Sequence, residues 1–157
     1  MGSGKSSLGR QLSDLMNLGF LDLDEMFEEK FRISIFDFFE KYGEEQFRKI
    51  ERDLLMGTSG FDQVVISTGG GTACFQDNMT FITGSGKSVY IRMTAEELAE
   101  RLESIKKKRP LLKGLDQEDL KDWVRTQLER REKFYLLADF IFHPLKDDLK
   151  WLAEVLK

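Results

Sequence analysis

"MGSGKSSLGRQL", Met1–Leu12, decides how this chain is read. Gly2–Ser6 spell Gly-Ser-Gly-Lys-Ser, the closing part of the phosphate-loop pattern G-x-x-x-x-G-K-[ST]. Leu8, Leu12, Leu15 and Met16 follow at helical spacing. Such a loop wraps phosphate in backbone N–H groups and aims a helix N-terminus at it, so it must run directly into a helix. This one does. The same five residues return at Gly84–Ser88, within "TGSGKSV". There the chain continues into β-branched and aromatic residues, and Phe81 stands where the motif needs its first glycine. The second copy is therefore a turn before a strand, and the first is the phosphate loop. In that reading Gly2, Ser3, Gly4, Lys5, Ser6 and Ser7 surround the phosphates of ATP, Lys5 bridges the β and γ groups, and the Ser6 hydroxyl ligates Mg²⁺.

Outward from that loop, helical and strand patterns alternate. Gly19 ends the first helix, and "FLDLD" (Phe20–Asp24) alternates as a short strand. Ser34 with Asp37 forms a capping box opening "IFDFFEKY", which Gly43 closes. Phe47, Ile50, Leu54 and Leu55 mark a further helix, and "VVIS" (Val64–Ser67) a buried strand running into Gly69-Gly70-Gly71. "SVYIRM" (Ser88–Met93) is another strand, and Thr94 with Glu97 caps the helix of Leu98, Leu102 and Ile105. Leu120, Trp123, Val124 and Leu128 define a helix, "DFIFH" a last strand, and Leu149, Leu152, Val155 and Leu156 a last helix. This alternation predicts an α/β fold with a parallel sheet covered on both faces.

Composition sets the setting. The 157 residues suit one domain, and 41% hydrophobic with 33% charged residues is ordinary for a globular protein. A net charge of −4 supplies no broad field for nucleic acid or anionic membrane, so bound anions must be met by local cations. Cys74 stands alone, which excludes an intrachain disulfide and a cysteine zinc cluster. No apolar run approaches the ~18 residues of a membrane helix, and a cytoplasmic protein is expected.

Six short motifs in order then define a resemblance: "GSGKSS", "DLD" at Asp22–Asp24, "FRKIE" at Phe47–Glu51, "STGGG" at Ser67–Gly71, "KRPLL" at Lys108–Leu112 and "RREKFY" at Arg130–Tyr135. Together they resemble the shikimate kinase family of the P-loop nucleoside monophosphate kinase superfamily, over residues 1–157. The resemblance implies a parallel sheet of order 2-3-1-4-5, transfer of the ATP γ-phosphoryl to the 3-hydroxyl of shikimate with Mg²⁺, and a monomer. It makes residues 24–56 the shikimate-binding segment and 106–119 a lid. It assigns the shikimate carboxylate to Arg48 and Arg131, whose guanidinium forks suit a buried carboxylate. It assigns the hydroxyls to Asp24 and the backbone of Gly69, Gly70 and Gly71, with Asp24 beside the reactive oxygen. Asp22 falls near Mg²⁺, Glu51 braces the arginines, Phe39 and Phe47 wall the pocket, and Arg109 of the lid covers the phosphates.

Other readings stand beside this one. Gluconate kinase or a nucleotide kinase of the same superfamily would share the phosphate loop. The short, phenylalanine-rich segment from Asp24 to Met56, with its one matching arginine, favours a compact carboxylate acceptor. A kinase-like module without activity is a third reading, because the resemblance expects a strand directly before the phosphate loop. On that account the central strand is missing or truncated in this chain. About ten mostly apolar residues ending in Gly-Phe or Gly-Tyr are expected ahead of Met1, and without them two neighbouring strands lose their ladder partners.

Overall fold

The computed structural model describes residues 2–105 and 116–157. Helix α1 (Lys5–Met16) leads to β1 (Gly19–Asp22), α2 (Leu23–Phe31), α3 (Ile35–Tyr42) and α4 (Glu44–Gly57). β2 (Val64–Ser67), α5 (Asn78–Ser85), β3 (Val89–Ile91) and α6 (Ala95–Ile105) follow, then α7 (Gln117–Tyr135), β4 (Phe140–Phe142) and α8 (Leu149–Val155).

The strands form two parallel pairs. β1 lies on β2 with Gly19 opposite Val64 and Asp22 opposite Ser67. β3 lies on β4 with Val89 opposite Phe140 and Ile91 opposite Phe142. Between the pairs, β2 and β3 border an apolar slot of about 460 Å³, floored by Leu8 and Leu12 of α1. In an order 2-3-1-4-5 the pairs are the outer strands 2-3 and 4-5, and the slot is the place of strand 1. The slot also divides the core. Leu12, Phe142, Leu152 and Ala153 form one cluster, whereas Leu23, Phe27, Phe38, Phe47, Leu54 and Leu55 form another. Alternate residues of β2 serve both, Val65 the first and Ile66 the second. A third cluster joins Met93, Leu98 and Leu102 to Leu120 and Val124, between α6 and α7.

Local chemistry explains most boundaries. Thr94 and Glu97 form a full capping box with bonds of 2.8 and 3.2 Å, whereas at Ser34 the Asp37 amide donates to Oγ at 3.0 Å and that hydroxyl donates to the Asp37 carboxylate at 2.6 Å. Three expectations are corrected. Gly19 does not end the first helix: α1 stops at Met16 with Asn17 as its C-cap at φ +55°, and Gly19 already belongs to β1. The strand expected over Phe20–Asp24 stops at Asp22, whose carboxylate accepts the amides of Asp24 (2.9 Å) and Glu25 (3.4 Å) and so starts α2. Asp24 is therefore on the first turn of a helix. The second Gly-Ser-Gly-Lys-Ser is also more than a turn, because its Gly84 and Ser85 complete α5. Of the three phenylalanines in α3, Phe38 is buried edge-on to Phe27 while Phe36 is exposed. Among the described residues no helix is long and apolar enough to cross a membrane.

Candidate active site

The phosphate loop owes its shape to two glycines. Gly2 and Gly4 take φ of +70° and +83°, left-handed values that side chains resist, and Gly4 is the N-cap of α1. It offers no side-chain cap, and the start of this 12-residue helix lies at the mouth of a cleft. Ser6 Oγ donates to Asp22 Oδ2 at 2.6 Å. Asp22 is 5% exposed and serves two purposes at once, capping α2 with one oxygen and receiving Ser6 with the other.

The cleft has a volume of about 370 Å³. Gly2, Gly4, Lys5, Ser6 and Ser7 line one side, while Asp24, Arg48, Arg131 and Gly69–Gly71 line the rest. Phe39, Phe47 and Glu51 also line it, with Ile35, Ser67 and Thr68. Ser3 and Asp22 do not line it: Ser3 is buried against the slot, and Asp22 lies behind Ser6. Arg109 and the expected lid over 106–115 lie outside the described residues.

Arg48, on α4, is held from both sides. Its Nη1 donates to the buried Glu51 at 2.6 Å, and its Nε and Nη2 donate to exposed Glu44 at 3.1 and 2.9 Å. Burial pulls its pKa down, but the two carboxylates outweigh that and leave it raised, so the guanidinium stays charged. The guanidinium lies against the backbone of Gly71, where a Cβ would collide with it. At Gly69 a Cβ would come within 2.5 Å of Glu51 Oε1 and 3.0 Å of Asp24 Oδ1. The glycine run is thus a close approach of backbone to side chains on three sides.

Asp24 has a raised pKa. Burial is the main cause, the negative charges of Asp22 and Glu51 add to it, and Lys5 opposes it. A carboxylate so placed is a better proton acceptor than a solvated one. Tyr135, near the end of α7, donates through its hydroxyl to the Gly70 carbonyl and so ties α7 to the glycine loop. Burial raises the pKa of this phenol, Cys74 adds to the rise, and nearby Arg131 opposes it. Burial also raises the Cys74 thiol, consistent with a packed residue rather than a nucleophile.

Two contributors, Thr72 and Arg101, escape the sequence reading. Thr72 donates to Glu51 Oε1 at 2.7 Å, beneath the loop. Tyr135 enters that reading only as part of a motif. Arg101 of α6 reaches across to donate to the Ser3 carbonyl at 3.0 Å. The sequence signal for Arg101 is faint: it sits three residues after Leu98, at the edge of an apolar stripe. His143, the sole histidine, meets Glu97 at 3.1 Å beyond the end of β4, outside the cleft.

Comparison with known proteins gives the family. A family model described as shikimate kinase matches residues 1–156. A shikimate kinase of Parabacteroides distasonis is 44% identical over 154 residues, which cover 98% of this chain and 87% of that protein. The crystal structure of the Bacteroides thetaiotaomicron shikimate kinase superposes with a TM-score of 0.93 at 38% identity, covering 99% of this chain and 93% of that one. The Acinetobacter baumannii shikimate kinase, solved in complex with shikimate, gives 0.85 at 31% identity, covering 99% and 85%. The cleft joins the glycine loop at the start of α1 to Arg48 and Asp24, and the chain belongs to the shikimate kinase family.

Proposed function

We propose that the cleft transfers the ATP γ-phosphoryl to the 3-hydroxyl of shikimate, with the acceptor between Asp24, Arg48, Arg131 and the glycine loop. The observation that carries this is the gathering of one basic carboxylate, two guanidinium groups and the phosphate-loop lysine around a single 370 Å³ cleft. The shikimate complex of the Acinetobacter baumannii relative supports the choice of acceptor. Arg48 and Arg131 take the ring carboxylate through paired, charge-assisted hydrogen bonds. The Gly69–Gly71 backbone and Asp24 take the hydroxyls. As the acceptor oxygen bonds to the γ-phosphorus and the bond to ADP breaks, the hydroxyl proton passes to Asp24. Lys5 and the amides at the start of α1 hold the phosphate oxygens throughout. Arg109 is assigned to the phosphates by family resemblance.

Ser6 and Asp22 are hard oxygen donors beside the phosphate loop, a donor set that suits Mg²⁺ sharing its shell with substrate phosphates. When bound, the ion neutralises charge on the phosphates. The protein is proposed to act as a cytoplasmic monomer, without nucleic-acid or membrane partners, in keeping with its modest net charge of −4.

Arg131→Lys tests the acceptor assignment. It keeps the charge and loses the planar fork, so the shikimate KM should rise about 30-fold or more, with little change in the ATP KM. Steady-state kinetics with both substrates give the answer. Equal loss for both would move Arg131 to the nucleotide. Phosphorylation of gluconate or a nucleotide in place of shikimate would overturn the acceptor.

A further inference from the structure

Thr72 lies directly after the glycine run, has 0% exposure, and is bonded at every polar atom. Its amide donates to the Gly69 carbonyl at 3.2 Å, which closes the loop. Its hydroxyl donates to Glu51 Oε1 at 2.7 Å, and its carbonyl accepts from Asn78 Nδ2 at 2.8 Å. Asn78 is itself 0% exposed and accepts from Arg52 Nη1 at 2.6 Å. Glu51, at 2% exposure, passes the connection on through its other oxygen, to Arg48.

Two carboxylates hold Arg48, Glu51 on the inside and the exposed Glu44 on the outside. The guanidinium faces the cleft only while the inner carboxylate keeps its orientation. Nothing in the Arg48 bond alone fixes Glu51, because a carboxylate turns about its last bond at little cost. The Thr72 hydroxyl supplies the second anchor, and two anchored oxygens define the plane. We propose that Thr72 is a positioning residue for acceptor binding, setting Arg48 against Gly71 through Glu51. This rests on the acceptor reading above. With the hydroxyl removed, Glu51 rotates and Arg48 swings toward Glu44, which weakens the hold on the acceptor carboxylate before it affects phosphoryl transfer.

The test compares Thr72→Val, Thr72→Ala and Thr72→Ser with the wild-type chain, in steady-state kinetics for shikimate and ATP, with folding followed by circular dichroism. Thr72→Val, which keeps the shape, should raise the shikimate KM about tenfold, and Thr72→Ala at least as much. The kcat and the ATP KM should stay within about twofold, and Thr72→Ser should restore the shikimate KM to within about threefold of wild type. A folded Thr72→Val or Thr72→Ala with an unchanged shikimate KM overturns the proposal. So does a Thr72→Ser variant as impaired as Thr72→Val, or failure of both Val and Ala variants to fold. A wild-type chain that releases no ADP in response to shikimate rejects the acceptor reading and this proposal together; an active wild type with unmoved variants rejects this proposal alone.

Discussion

Gly2–Ser6 and Gly84–Ser88 are the same pentapeptide in two settings. In the first, two glycines at positive φ turn the chain into α1, and the uncapped helix start opens on the cleft. In the second, Gly84 and Ser85 end α5, Gly86 is extended with φ of 171°, and β3 begins at Val89. Each serine hydroxyl meets a carboxylate, Ser6 with Asp22 at 2.6 Å and Ser88 with Asp139 at 2.7 Å. The second pair is closed on itself, however. Asp139 also takes the Ser88 amide at 2.8 Å and returns its own amide to Ser88 Oγ at 3.0 Å. Lys87 reaches the Val155 carbonyl at 3.4 Å and lines the slot, not the cleft. The amide that a phosphate would seek at Ser88 is thus taken by the protein's own carboxylate. The phosphate binding proposed for the first copy rests on the helix that follows the pentapeptide, not on the pentapeptide.

The sharpest way to break this comparison is to remove each lysine. Lys5→Ala should lower kcat by about 10³-fold, since it withdraws the cation at the transferred group. A loss below tenfold in a folded variant would show that the first loop does not hold the phosphates.

Asp24→Asn comes next and sharpens the contrast, because Lys5 is the cation that acts on Asp24. Turnover should fall about 10²-fold, as the proton acceptor is gone while the shape remains. Stability should move the other way. Burial raises the Asp24 pKa in the folded protein, so the protonated form is favoured there relative to the unfolded chain. That contribution is present below the ordinary value of 3.8 and is lost as pH climbs through the raised folded value. At pH 7 the ionised carboxylate therefore opposes folding. The variant should melt above wild type at pH 7, with the difference shrinking toward pH 3. A lower Tm at pH 7 would contradict the burial argument.

Lys87→Ala carries the smallest expected effect. Its kcat should stay within about twofold of wild type, with little change in Tm, since it breaks one long, exposed bond to a backbone carbonyl. A loss comparable to that of Lys5→Ala would put the second copy at the nucleotide and end the distinction between the two.

What was legible in the sequence was local or periodic. The phosphate loop runs into a helix because apolar residues recur after it, and Ser34, Asp37, Thr94 and Glu97 cap helices because their partners lie three residues away. The family motifs carried most of the cleft residues, and fourteen of the expected positions line it together. α5 was not legible: Thr80, Ile82, Thr83 and Gly84 are poor helix formers, and packing overrides their preference. α2 was concealed by the alternation of "FLDLD", which the Asp22 cap cuts short.

By itself the sequence determined which glycine segment runs into a helix, and where the helices capped by Ser34 and Thr94 begin. It did so because each depends on residues a turn or two apart. Only the tertiary structure decided what holds the site in shape. Ser6 finds Asp22 across 16 residues, Thr72 finds Glu51 across 21, Tyr135 finds Gly70 across 65 and Arg101 finds Ser3 across 98. A buried hydroxyl or carboxylate must find a partner, but which one depends on the elements that folding brings beside it.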